Sequence, residues 1–227
     1  MERTHYHLLA PLFEYPDAGY PQRVRDIWKF LDEHYSGAAT ELDRFLTLLP
    51  SEDLLAMKEL FTRSFDVQAA TTLDIGYVLF GDDYKRGEML ANLNREHLEA
   101  EIDCGTELAD HLPNLLRLMA AHKDEDLIND LASAILGPAL CEMIREFASD
   151  RIEKRNVSFK KHYKTLIETP AVDSDAVTLY QFALKSLFQV LQQDFSLVET
   201  IPLKLTSDFL ASVGRENEIE ENANSQY

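Results

Sequence analysis

The sequence has few of the residues that break helices or cross-link chains. Among 227 residues there are 8 glycines, 8 prolines and 2 cysteines. Cys104 and Cys141 lie far apart and form no Cys-x-x-Cys pair, so neither a disulfide framework nor a cysteine zinc site is indicated. Apolar runs last only a few residues, whereas a membrane span needs about 20. The N-terminus lacks the sustained apolar region of a secretory signal, and we therefore expect a cytoplasmic protein.

Basic residues are also scarce. Against 40 acidic residues stand 22 basic ones, which gives a formal net charge of -18. Such a charge repels nucleic-acid phosphates and anionic membrane surfaces, and it favours basic partners. Acidity of this kind also serves solubility alone, so the charge by itself identifies no partner.

Apolar residues recur at helical rather than alternating spacing, and no segment has the pattern of a strand. Val24, Ile27, Trp28 and Leu31, for example, form a stripe along one helix face. The sequence predicts an all-α fold, a single-domain bundle of about nine to eleven helices. This domain is expected to cover residues 1–200, and the acidic segment 201–227 is expected to be a disordered tail.

Several helix boundaries follow from the same reasoning. Ser36-Gly37 is expected to end one helix, and Thr40 to cap a short helix after it. Gly81 should stop the helix that begins near Thr72, and Asp82 or Asp83 should cap the next. Two late helices are predicted at Ser158–Glu168 and Asp175–Asp194.

Motifs for common chemistry are missing from the sequence. It contains no phosphate-binding glycine loop of either common type. His5 and His7 lack a third ligand, and His111 and His122 are three helical turns apart, so we expect no metal site. No motif marks either cysteine as a nucleophile. The sequence therefore predicts neither a catalytic residue nor a cofactor.

Two segments carry more polar residues than a packed helix joint requires. The first runs from Thr72 to Gly87 and the second from Glu107 to Pro113. One interpretation is structural: a tight helix crossing through Gly76 and Gly87, with the acids as helix caps. The other is that the joint between these segments binds a ligand.

At these segments the chain resembles the NarJ-type delta-subunit chaperones of respiratory nitrate reductase, within the wider TorD/DmsD-like group of molybdoenzyme assembly chaperones. The residues that carry the resemblance are Phe65-Asp66, Leu73-Asp74-Ile75-Gly76-Tyr77, Gly81-Asp82, Arg86-Gly87 and Asp110-His111-Leu112-Pro113. The resemblance covers about residues 5–150. It departs from the nitrate-type pattern at Ala109, where proline is usual.

The resemblance implies a TorD-like helical chaperone without catalytic chemistry. Its partner would be the N-terminal segment of the apo catalytic (alpha) subunit of a nitrate reductase. The chaperone would support insertion of the molybdenum cofactor and delay membrane attachment until loading is complete. A strongly acidic protein with an apolar groove suits a basic, amphipathic leader segment.

The joint between the two polar segments is where we expect this client peptide to bind. Aromatic residues there offer contact area at small entropic cost, and a glycine-bounded turn can open without breaking a helix. The predicted binding residues are Tyr77, Phe80 and Tyr84 as apolar contacts, and Asp82, Asp83, Arg86, Asp110 and His111 as their charged surroundings.

Two other functions remain open from the sequence. The chain could be a helical adaptor or scaffold for another basic partner, or a chaperone of a different molybdoenzyme. It could also be an all-α hydrolase that uses Asp110 and His111 as a catalytic pair.

Overall fold

The computed structural model describes residues 3–67, 69–148 and 178–197. Within these ranges every regular element is a helix, and the only β-type pairing is an isolated bridge between Asp74 and His111. The predicted all-α fold class is therefore confirmed. The predicted helix Ser158–Glu168 and the tail 201–227 lie outside the described residues, so both remain predictions.

The helices follow one another along the chain with short connections. Their bounds are α1 His5–Leu9, a 3-10 turn Ala10–Phe13, α2 Tyr20–His34, α3 Ser36–Leu48, α4 Leu54–Phe65, α5 Ile75–Phe80, α6 Tyr84–Glu99, α7 Leu112–Ala121, α8 Glu125–Asp130, a π-helical turn Leu131–Leu136, α9 Gly137–Glu146 and α10 Tyr180–Phe195.

Packing divides the chain into two compact units. Among the described residues, the first comprises residues 3–13, 73–139 and 191–197, and the second comprises residues 14–67, 69–72, 140–148 and 178–190. The core of the first unit centres on α7, whose apolar residues are almost all fully buried. All the predicted site residues fall in this first unit.

Arg3 binds the C-terminal end of α7 through hydrogen bonds. Its Nε donates to the carbonyl oxygen of Met119 at 3.1 Å, and its Nη2 donates to that of His122 at 2.8 Å. Nη1 pairs with the Glu125 carboxylate at 2.6 Å. The last carbonyls of a helix lack intrahelical donors, so this buried guanidinium satisfies them.

The second unit has an aromatic core around Tyr180. Its ring lies 5.1 Å from Phe45, 5.7 Å from Phe61 and 4.9 Å from Phe65, measured between centroids, each in edge-to-face geometry. The buried Tyr180 hydroxyl lies 3.3 Å from that of Tyr20. Phe65, which belongs to the first resemblance motif, is therefore a packing residue.

One helical stretch, Glu125–Glu146, is long and apolar enough to cross a membrane by length and composition. Its most apolar window is 61% buried inside the structure, as in the core helix of a globular protein. Pro138 has no amide proton to donate, and the Gly137 N–H bonds to the carbonyl of Ala132, which widens the helix into a π-turn there.

The predicted end of α2 near Ser36-Gly37 is confirmed, but the predicted start of the next helix at Thr40 is wrong. α2 ends at His34 as the sequence suggests, but α3 begins at Ser36 and includes Gly37. Thr40 lies within α3, where its hydroxyl donates to the Ser36 carbonyl at 3.0 Å instead of capping a helix. A Cβ on Gly37 would come within 2.5 Å of Oε1 of Gln189, an atom at the end of a flexible side chain.

Candidate functional site

The site is built on the turn between α5 and α6. Gly81 ends α5 with φ of 62° and ψ of -136°, a conformation that favours glycine. The Asp83 side chain then accepts the amide N–H of Lys85 at 2.9 Å and caps α6. Both features agree with the sequence predictions, whereas the start of α5 does not. α5 begins at Ile75, after Asp74, rather than near Thr72.

A short two-strand pairing joins the two polar segments. The amide N–H of Ile75 donates to the carbonyl of Asp110 at 3.0 Å, and that of Leu112 donates to the carbonyl of Leu73 at 2.9 Å. Asp74 and His111 are thereby placed opposite each other. This pairing brings the polar segment Thr72–Gly87 into direct contact with the segment Glu107–Pro113.

Arg86 holds two carboxylates at this joint. Its Nη2 lies 2.9 Å from Oδ2 of Asp74, and its Nε lies 3.1 Å from Oδ2 of Asp110. The guanidinium carbon lies 5.4 Å from the centroid of the Tyr77 ring, which is within cation–π range. Arg86 thus fixes the first turn of α6 against the start of α5.

Asp110 is fully buried, with 0% of its surface exposed. Its Oδ2 also accepts the amide N–H of Gly76 at 3.1 Å, while Oδ1 has no hydrogen-bond partner among the described residues. Burial raises the pKa of Asp110 above its usual range, although Arg86 and the Gly76 amide oppose that rise. The charged form of Asp110 therefore depends on Arg86.

His111 pairs with Asp74 rather than with Asp110. Its Nδ1 lies 3.3 Å from Oδ1 of Asp74 and 3.9 Å from Oε2 of Glu107. The hydrogen bond to His111 and then that to Arg86 hold the pKa of Asp74 below its usual range, despite partial burial. The catalytic Asp110–His111 pair considered from the sequence is not formed.

The aromatic residues of the joint face outward. Tyr77 is 44% exposed and Tyr84 is 52% exposed, and Phe80 is half-buried. Val78 and Leu79 are likewise only half-buried. None of the last four residues of α5 is fully buried, and we call the partly exposed apolar surface that they form the α5 face: Tyr77, Val78, Leu79 and Phe80.

The structure places Arg86, Asp110 and His111 in one charged network with Asp74, and the other predicted binding residues lie on α5, on the turn after it and at the start of α6. Tyr77, Phe80 and Tyr84 offer apolar surface, and Asp82 and Asp83 are exposed at the turn beyond the α5 face.

Two expectations about the joint need correction. Asp110 does not line a rim, since it is buried beneath Gly76 and Arg86. The predicted close helix crossing at Gly76 and Gly87 agrees with the structure at Gly76 only. A Cβ on Gly76 would lie 2.7 Å from Oδ2 of Asp110, but a Cβ on Gly87 would meet nothing within 4 Å.

Sequence reasoning did not select Asp74 or Glu107 as site residues. For Asp74 the available signal was its position within the resemblance motif Leu73-Asp74-Ile75-Gly76-Tyr77. Its pairing with Arg86 and His111 depends on the bridge between segments, which local periodicity does not reveal.

One group within the described ranges has the residue types of a metal site. Ligand atoms of Glu96, Glu99 and His122 lie within 4.8 Å of one another. However, Nδ1 of His122 accepts the amide N–H of Asp124 at 3.2 Å, so in the neutral ring Nε2 carries the proton. That proton points to Glu96, 3.3 Å away, and the arrangement reads as a hydrogen-bonded contact.

Comparisons with family models and with curated proteins give no match for this chain. The class of protein is therefore argued from the site geometry and from the quoted resemblance motifs.

We predict that Gly76→Ala destabilises the protein by about 1–3 kcal/mol, because the added Cβ crowds a buried carboxylate. Gly87→Ala is the matched control. Its site is open, so alanine inside α6 should stabilise by about 0.5–1 kcal/mol. Urea unfolding of both variants measures the difference, and equal effects of the two would contradict this account of Gly76.

A second prediction concerns Asp74 and pH. Its lowered pKa means that the charged form stabilises the folded state above 3.8, and that this contribution is lost as pH falls through the lowered value. Asp74→Asn removes the contribution. The melting temperature of the wild type should therefore exceed that of the variant at neutral pH, and the gap should shrink toward about pH 3. A gap that is constant with pH would contradict the assignment.

Proposed function

We propose that this chain is a cytoplasmic chaperone for the apo catalytic subunit of a respiratory nitrate reductase. It binds the N-terminal segment of that subunit and assists molybdenum cofactor insertion before the enzyme attaches to the membrane. The observation that carries the proposal is the exposed α5 face, held in place by residues from both resemblance segments.

The α5 face suits an amphipathic helix. A short helix docks by laying its apolar stripe against exposed apolar side chains. Tyr77 and Tyr84 supply large contact areas with few rotatable bonds, so ordering them on binding costs little entropy. Four consecutive apolar residues of a six-residue helix, none of them fully buried, are hard to explain by packing alone.

The acidic residues near the α5 face indicate that its ligand is basic. Asp82 and Asp83 are exposed beside the α5 face, and the exposed Glu107 lies 3.9 Å from Nδ1 of His111. The chain as a whole has a formal net charge of -18. A segment with lysine or arginine next to its apolar stripe is therefore attracted to this surface, mainly through faster encounter.

Arg86 and Asp110 act as positioning residues in this proposal. Asp110 cannot reach a bound peptide because it is fully buried. Nε and Nη2 of Arg86 already donate hydrogen bonds to Asp110 and Asp74. Together they set the orientation of α5 and of the Tyr77 ring. The proposal assigns no catalytic step, no metal and no cofactor of its own to the chain.

A helical adaptor that binds another basic partner, or a chaperone of a different molybdoenzyme, would use the same surface. Affinity purification of the tagged full chain from nitrate-respiring cells separates these possibilities. The proposal expects the nitrate reductase catalytic subunit, lacking its molybdenum cofactor, to copurify. Recovery of another molybdoenzyme subunit, or of none, would overturn the assigned client.

Direct binding is tested with a peptide copied from the N-terminus of that catalytic subunit. Tyr77→Ala and Tyr84→Ala should each weaken the peptide, measured by calorimetry, by about tenfold or more, as truncated interface aromatics commonly do. Tyr77→Phe keeps the ring and should bind nearly as the wild type.

The matched control is Tyr15→Ala, because Tyr15 is 52% exposed like Tyr84 but belongs to the second unit. It should leave the affinity unchanged. If the three alanine variants remain folded and bind the peptide equally, the α5 face is not the binding surface.

Electrostatic attraction predicts a salt effect on the same peptide. Raising ionic strength from low to physiological should slow association by about an order of magnitude and leave dissociation almost unchanged. Stopped-flow fluorescence measures both rates. An association rate indifferent to salt would leave the negative charge with a role in solubility only.

A further inference from the structure

The C-terminal end of α10 is held in a fixed position. Oδ2 of Asp194 accepts the Tyr6 hydroxyl at 2.7 Å and lies 2.7 Å from Nε2 of His5. α10 ends at Phe195, and Ser196 after it has φ of 51°, the left-handed conformation that commonly closes a helix. The direction in which the chain leaves α10 is therefore set by contacts with α1 and by this one residue.

Leu197 lies against the helical stretch that supports α5. Its Cδ1 is 3.2 Å from the position that a Cβ on Gly137 would take, so the missing side chain at Gly137 allows this close approach. Gly137 directly follows the π-helical turn Leu131–Leu136, and α5 packs against that turn. The residues after Leu197 therefore begin next to the element on which the α5 face is built, within the same compact unit.

The sequence after Leu197 falls into two parts of different character. Residues 200–213 contain two charged residues, Lys204 and Asp208, of opposite sign. Residues 214–227 contain one arginine and four glutamates, the composition on which the expectation of disorder rests. The first part is therefore close to neutral and able to approach an acidic surface.

Residues 200–213 also have the pattern of an amphipathic helix. Leu205, Phe209 and Val213 recur every four residues, which is the spacing of one helix face. Pro202 precedes this stripe and Gly214 follows it, as at many helix starts and ends. The segment thus has the kind of apolar stripe that suits the α5 face.

We propose that residues 200–213 dock on the α5 face of their own chain and that the client segment displaces them. An extended chain advances about 3.3 Å per residue, so the residues between Leu197 and Leu205 span about 25 Å, whereas the six-residue α5 is about 9 Å long. Lys204 is attracted to the exposed Asp82 and Asp83, while the glutamates beyond residue 213 are repelled by them. The inference concerns a contact within one chain and holds whatever the client is.

The docked segment must be held weakly, because a client has to replace it. A segment of the same chain acts at an effective concentration of roughly millimolar, so even modest contacts populate the docked state. We expect the docked state to exceed the free state by about three- to tenfold, which lowers the apparent affinity for a client by a similar factor.

The contact is tested on the full chain without any client. Phe209→Asp places a charge in the apolar stripe and should release the segment, so that amide hydrogen exchange in residues 75–80 becomes about three- to tenfold faster. Ser207→Asp is the matched control, because it adds the same charge on the opposite side of the predicted helix and should leave exchange unchanged. Equal exchange in Phe209→Asp and in the wild type would overturn the proposal.

The location of the docked segment is tested by measuring exchange in the segment itself. Tyr77→Ala removes an aromatic contact of the α5 face and should make residues 205–213 exchange faster, by about threefold or more. Tyr15→Ala removes a comparably exposed ring of the second unit and should have no such effect. Faster exchange in both variants, or in neither, would rule out the α5 face as the docking surface.

Client binding separates this inference from the proposed function. A peptide copied from the N-terminus of the nitrate reductase catalytic subunit should bind Phe209→Asp about three- to tenfold more tightly than it binds the wild type or Ser207→Asp, measured by calorimetry. A peptide that binds all three proteins with one affinity overturns the displacement and leaves the proposed function standing. A peptide that binds none of them overturns the proposed function, and the exchange experiments then decide the docking by themselves.

Discussion

The ion pairs of Arg86 are the interactions on which the rest of the site depends. A carboxylate as deeply buried as Asp110 is unfavourable in its charged form unless a cation and hydrogen bonds compensate it. Arg86 and the Gly76 amide provide that compensation at 3.1 Å each. The same guanidinium binds Asp74, so α6, the start of α5 and the loop before α7 are tied to one charged group.

The exposed apolar surface follows from this arrangement. A helix as short as α5 is unstable by itself, and it persists because its first residues are anchored by Asp110 and by the bridge at Asp74. The anchors hold only the N-terminal end. Gly81 then turns the chain sharply into α6, and in the last turn of α5 Tyr77 stays exposed while Val78, Leu79 and Phe80 stay half-buried. Anchoring at one end of the helix thus permits exposed apolar side chains at the other.

Sequence patterns anticipated the features that depend on neighbouring residues. The buried stripe of α2, the stop at Gly81 and the cap at Asp83 were all predictable from local rules. Features that depend on distant contacts were not. α3 begins at Ser36 and includes Gly37, and the buried Asp110 is compensated by Arg86, which lies 24 positions away in the sequence. The sequence therefore anticipated exposed acids at Asp82 and Asp83, but it did not reveal that Asp110 is buried.

The central claim is that the α5 face and the residues around it bind the N-terminal segment of the client subunit. Hydrogen–deuterium exchange of the full chain, with and without a saturating peptide of that sequence, tests it most directly. The account predicts that the peptide slows exchange in residues 75–86 and 107–111 and leaves α2 and α3 unchanged. Protection confined to α2, α3 or α4, with none in residues 75–86, would contradict it.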